Sequence, residues 1–153
     1  MELVEKLDAI EACKQLRARY FRLIDTKKFD ELYEVFTEDA SFDSTEAPPS
    51  EDGGKVDGMG EAEVWHGVDM IVDKIRSSII PEMICSHMGH TCELKVTSDT
   101  TAEGIHPFHD RILIPGAVTM HGYAYYYDTY EKVEGEWKIK STKIHWLRLI
   151  TSE

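Results

Sequence analysis

Thr101–Ile150 reads TAEGIHPFHDRILIPGAVTMHGYAYYYDTYEKVEGEWKIKSTKIHWLRLI, and this stretch decides the fold. β-Branched and aromatic residues dominate it, and glycine-containing pairs interrupt it at Pro115-Gly116 and Glu134-Gly135. Short turn signals between long β-rich runs mark hairpins. The spacing predicts strands over Thr101–Ile114, Thr119–Val133 and Glu136–Ile150. Upstream, Ile84–Thr97 ends at Ser98-Asp99 and supplies a fourth strand of the same antiparallel meander.

The residues before this sheet are helical in pattern. Leu3, Leu7, Ile10, Cys13, Leu16, Tyr20, Leu23 and Ile24 recur at three- and four-residue steps, which predicts one amphipathic helix ending near Asp25. A short second helix follows with Phe29, Leu32 and Phe36 on its apolar face, then a short strand over Ala40–Ser44. Val64–His66 reads as a strand fragment, and Val68, Ile71, Ile75 and Ile79 mark a third helix closed by Pro81. Helices first and sheet after is the α+β signature. A chain of 153 residues predicts a single domain over 1–153. Glu38–Glu63 carries nine acids against one base, with Pro48, Pro49 and four glycines. That composition predicts a mobile, solvated loop at about 45–63, either a lid or a surface insertion.

The net charge of −12 argues against nucleic acid and anionic membrane as partners, since both require a basic face. The N-terminal stretch alternates charge and hydrophobe, with neither a signal segment nor a membrane span. Cys13, Cys85 and Cys92 are odd in number and irregular in spacing, as expected of reduced thiols in a cytoplasmic protein.

The chemistry concentrates at Ser86-His87-Met88-Gly89-His90-Thr91. Histidine titrates nearest neutrality, so an imidazole on a half-buried strand is a candidate general base. Strict alternation groups His90 with Leu94 and Val96 on the core face and sends His87 outward. A bulge near Gly89 would reverse that parity and turn His87 inward, so both histidines stand as candidates here. The H-x-x-H pairs His87/His90 and His106/His109 would chelate from a helix, but on a flat strand their rings point to opposite faces, so no metal is expected. Tyr123, Tyr125, Tyr126 and Tyr127 occupy both faces of one strand, which predicts that neither face is freely solvated.

Four segments carry a family likeness: RYFRLIDTKKFDELYEVFTEDASFD from Arg19, HMGHTCELKVTSDTTAEG from His87, FHDR from Phe108 and YYYDTYEKVEGEWKI from Tyr125. Together they resemble the SnoaL-like family of the nuclear-transport-factor-2 and ketosteroid-isomerase superfamily. The likeness is greatest to the branch holding bile acid 7α-dehydratase, scytalone dehydratase and hexachlorocyclohexane dehydrochlorinase. It implies a cone, in which a curved antiparallel sheet wraps the N-terminal helices as a cystatin-like α+β barrel, and a homo-oligomer, trimeric or dimeric.

Carried over residue by residue, the resemblance makes His87 the base and Asp25 its orienting partner. Tyr20 would polarise a carbonyl or assist the leaving hydroxyl, and Asp110 would be a further acidic site residue. His90, Phe42, Tyr126 and Trp146 would contact the substrate. No tyrosine stands at Phe42–Ser44, where the family carries its second one, so the substrate does not transfer with the site. The implied reaction is cofactor-independent removal of water from a hydrophobic hydroxylated ring compound of steroid or aromatic-polyketide type. Isomerisation, cyclisation or dehydrohalogenation by the same base, and non-catalytic binding of a small molecule, are the alternatives.

Overall fold

The computed structural model describes residues 2–56 and 59–152. Helix α1 (Leu3–Asp25) starts with a reciprocal cap, the Glu5 carboxylate accepting the Glu2 N–H at 2.9 Å. Its buried stripe runs from Ala9 to Ile24 and includes Arg17. Leu3 and Leu7, expected on that stripe, are 70% and 56% exposed, because the first two turns lack a layer to pack against. A 3-10 turn of helix follows at Phe29–Glu34 and ends sooner than the pattern implied. Phe36 therefore opens strand β1 (Phe36–Asp43) instead of closing a helix, and the strand starts four residues before the expected Ala40.

Then come β2 (Trp65–His66), α2 (Val68–Ser78), β3 (Ile84–Gly89), β4 (Glu93–Val96), β5 (Thr101–Leu113), β6 (Thr119–Val133) and β7 (Glu136–Ser152). The sheet order is β2-β1-β7-β6-β5-β3, with β4 also paired to β5. The fold is α+β, with the helices against a curved sheet. Two details correct the expectation. β1 lies parallel to β7, so the sheet is mixed where a wholly antiparallel one was expected. No described pairing joins β2 to β3, so the cone is open along that side.

The expected single strand over Ile84–Thr97 is two strands, and the break decides which histidine faces inward. Gly89 stands opposite Phe108 and Glu93 opposite Ile105, so four steps on one strand span three on the other. The extra residue reverses the side-chain parity across His90–Cys92. Leu94 and Val96 pair with Gly104 and Ala102, while His87 pairs with Asp110, and all lie on the inner side.

The acidic segment was expected to be solvated and mobile; its first part bonds to β7, and the residues at 51–55 are exposed. The Glu46 carboxylate accepts the Trp146 N–H at 3.0 Å and meets His145 Nδ1 at 3.1 Å. Leu149 N–H donates to Pro49 O at 2.9 Å, and Pro48 is fully buried. After β1 ends, this segment continues along the flank of β7, where unpaired backbone groups accept it. Asp57 and Gly58 lie outside the described residues. No helix among the described residues is long and apolar enough to cross a membrane.

Candidate active site

Asp25 is the last residue of α1, and its carboxylate reaches across to β3. Oδ1 meets His87 Nδ1 at 2.6 Å, and Oδ2 accepts the His87 backbone N–H at 2.9 Å. One carboxylate thus holds both the backbone and the ring of the same residue. An ionised carboxylate only accepts, so Nδ1 carries the proton and Nε2 keeps its lone pair. The Phe21 ring stacks on the imidazole at 5.5 Å and 8°, which fixes the plane of the ring.

On its other side, His87 Nε2 lies 3.7 Å from Asp110 Oδ2, too far for a direct hydrogen bond. Burial pushes the Asp110 carboxyl up, against the opposing pull of His87 and the Gly122 N–H, which donates to Oδ1 at 2.9 Å. A side chain at Gly122 would place its Cβ 2.3 Å from Asp110 Oδ1 and 2.8 Å from the Trp146 ring. Only glycine lets β6 approach this carboxylate so closely.

His87 and Asp25 lie in the wall of a groove of about 660 Å³ between α1 and the β3–β4 break, together with Arg17, Phe21, His90 and His106. This is ample for a polycyclic ligand. His90, the other candidate base, turns to the outer side of the sheet and meets His109 Nδ1 at 2.9 Å. It reaches the groove only at the rim, where the chain leaves the ladder.

Four further residues expected at the site sit in the aromatic core beside the groove. Tyr20, Phe42 and Tyr126 are each under 5% exposed, and Trp146 is half-buried. Tyr20 packs edge-on against Tyr126 and Phe36, each at 5.9 Å between ring centroids. Phe108 stacks on Tyr126 at 4.5 Å and joins Trp146 at 6.2 Å. Burial pushes the Tyr20 and Tyr126 hydroxyls up, so both are neutral phenols. The structure therefore brings Asp25, His87 and Asp110 together directly, and places Tyr20, Phe42, Tyr126 and Trp146 as one packed cluster next to them.

The sequence reading missed a second polar cluster. Arg17 is fully buried, donates from Nε and Nη2 to Asp128 at 3.0 and 2.5 Å, and reaches Thr142 Oγ1 at 2.9 Å. Its guanidinium carbon lies 4.0 Å from the Tyr126 ring centre and 4.7 Å from that of Tyr20. Tyr130 Oη donates to Asp128 at 2.8 Å and lies 2.7 Å from His106 Nε2. Because the tyrosine proton goes to Asp128, His106 Nε2 carries the donor proton here. Burial pushes His106 down to about 4, so the ring is neutral. The signal was available: a cation at Arg17 interrupts the apolar stripe of α1, and Asp128 shares the inward parity of Ala124, Tyr126 and Tyr130.

Comparison with known proteins agrees with this architecture. Residues 5–143 match the family model described as a SnoaL-like domain. The fold is similar to that of a type 2 LinA hexachlorocyclohexane dehydrochlorinase, at 17% identity and a TM-score of 0.78 over 99% of this chain and 94% of that one. It is also similar to a proposed scytalone dehydratase from Novosphingobium aromaticivorans, at 19% identity and a TM-score of 0.77 over 97% and 90%. An uncharacterised protein with a cystatin-like fold from Caulobacter vibrioides aligns at 16% identity and a TM-score of 0.70 over 92% and 91%. At these identities the solved structures speak to the fold alone.

Proposed function

The chain belongs to the SnoaL-like domain family, and on that premise we propose that it is a cofactor-independent lyase, a dehydratase acting on a hydrophobic hydroxylated ring compound. One observation carries the reading: His87 stands between two carboxylates in the wall of a groove large enough for such a ring system. Asp25 holds the tautomer that leaves Nε2 basic, and the 3.7 Å gap to Asp110 leaves that lone pair uncommitted. In the proposed reaction Nε2 takes the acidic C–H proton beside a carbonyl or an electron-poor ring. The released electron pair forms the new C=C bond as the C–O bond breaks. The imidazolium then gives its proton to the departing hydroxyl, which leaves as water.

Asp25 and Asp110 both favour the imidazolium that forms midway, and the partly apolar groove strengthens that interaction. Tyr20 and Tyr126 are buried behind the groove lining, so the imidazolium is the acid in this scheme. Isomerisation, cyclisation and dehydrohalogenation use the same proton abstraction and differ in what leaves. On the outer sheet face, Tyr123, Tyr127 and Leu147 are 41%, 45% and 51% exposed. We assign this face to contact between copies, which sedimentation would read as a mass above that of one chain.

The test is incubation with a panel of hydroxysteroids and hydroxylated polyketides, read by mass spectrometry. A product lighter by one water is expected from the wild type. His87→Gln should lower the rate by about 10²- to 10⁴-fold, the range for loss of a general base. Return of every compound unaltered by the wild type would make the protein a binding module and withdraw the catalytic roles.

A further inference from the structure

The groove wall has a charge unlike that of the rest of the molecule. The chain carries 29 acids against 17 bases. Yet among the described residues the groove is lined by Lys14, Arg17 and Arg22 against one carboxylate, Asp25, which His87 already engages. These cations lie on one face of α1 because 14, 18 and 22 form one i, i+4 row and 17, 21 and 25 the adjacent row. Arg17 is compensated by Asp128. Lys14 and Arg22 have no carboxylate partner within ion-pair distance among the described residues, although acids outnumber bases throughout.

The opposite wall makes an independent contribution. The strand break places Thr91 and Cys92 in the groove lining. His90 N–H still bonds to Pro107 O at 2.9 Å, but neither the Thr91 nor the Cys92 N–H finds an acceptor among the described residues. Peptide N–H groups released from a ladder are ready donors to an anionic oxygen. Arg17 Nη1 is likewise buried with no acceptor. The groove lining thus combines residues with unpaired amides and residues with unpaired cations, and Phe21, stacked on His87, is part of the same lining.

We propose that the ligand of this groove is an anion: a flat ring compound bearing a carboxylate, which docks between Lys14 and Arg22 and the Thr91–Cys92 backbone. Its ring lies on Phe21 and presents its reacting carbon to His87. Lys14 and Arg22 bracket about 12 Å of helix, a span that a fused two- or three-ring acid fills. This ligand class rests on the reading of the groove as the substrate site, but its test is a binding measurement that does not need the chemistry.

The probes are 2-naphthoate and its uncharged methyl ester, titrated calorimetrically against wild type, Lys14→Gln/Arg22→Gln and the charge-matched control Lys55→Gln/Lys132→Gln. All four positions are solvent-exposed, so the fold should survive each change. Wild type should bind the acid more tightly than the ester. The groove variant should lose that preference by about two- to thirtyfold, the sum expected for two exposed ion pairs, and the control should keep it. The proposal is overturned if the ester binds as well as the acid, if the acid shows no saturable binding, if the groove variant keeps the preference, or if the control loses it equally. A dehydratase that prefers the ester would sink only this inference. An acid-selective groove that never releases water would sink only the proposed reaction.

Discussion

His106 makes the buried cluster beneath the groove sensitive to acid, and the size of the effect follows from its surroundings. The ring is 4% exposed, sits against the Tyr130 hydroxyl and shares the interior with the Arg17 guanidinium. Burial, helped by Arg17 and opposed by Asp128, holds its pKa down from 6.5 to about 4. In the unfolded chain the same imidazole titrates near its ordinary value. Above that value both states are neutral, and the group's full contribution to stability is present. As pH falls toward 4 the unfolded chain takes up a proton that the folded chain refuses, so the contribution is lost.

At about 1.4 kcal/mol per pH unit, the whole window is worth about 3 kcal/mol, and the portion lost by about pH 5 is about 2 kcal/mol. Urea unfolding at about pH 7.5 and about pH 5 should show that loss in the wild type beyond whatever His106→Gln shows. Glutamine keeps an N–H for Tyr130 but cannot be charged, so the difference between the two proteins isolates the imidazole. If both proteins lose equal stability over that range, His106 is not held neutral by its burial, and the account of the cluster fails.

Asp128→Asn keeps the shape of the Arg17 site but leaves its guanidinium uncompensated in the interior, and should cost about 3–5 kcal/mol in chemical denaturation. An unchanged midpoint would mean that Arg17 escapes to solvent. Gly122→Ala should displace the Asp110 carboxylate or the Trp146 ring, since the new Cβ would lie 2.3 and 2.8 Å from them. The expected result is lost turnover with far-UV circular dichroism retained, and full activity in this variant would show that Asp110 is not needed where it stands.

Most of the fold was legible because two periodicities carried it. The 3.6-residue stripe gave α1 and α2, and the hairpin turns gave β5, β6 and β7 nearly to their ends. The errors fall where a local pattern met a tertiary partner. Phe36 fits a helical face by spacing, but its neighbour Val35 accepts the Ile139 N–H at 2.9 Å, and the parallel pairing with β7 draws the segment into the sheet. Nothing local could announce that pairing, because its partner lies about a hundred residues later. Likewise, the acidic segment has the composition of a solvated loop, and its bonds at Glu46 and Pro49 go to the flank of a strand about a hundred residues later.

The site shows the same division at finer grain. Alternation alone set His87 and Leu94 at odds, and one extra residue within His90–Cys92 reconciles them. That residue does more than repair parity. A regular edge strand there would have paired alternate backbone amides with β5 and left a smooth wall. The break instead lets β3 keep His87 inward and His90 outward while β4 keeps Leu94 inward, and it leaves the Thr91 and Cys92 amides without an acceptor among the described residues. The imidazole's position comes from the β3–β5 register upstream of the break, whereas the ligand anchor in this reading comes from the break itself, which predicts that the two can be separated. Deleting Thr91 should close the ladder while leaving His87 opposite Asp110, so folding and the imidazole's position should survive while acid-selective binding is lost. Retained selectivity in that deletion, measured with the same naphthoate and ester pair, would separate the anchor from the break and leave the cations of α1 as its sole source.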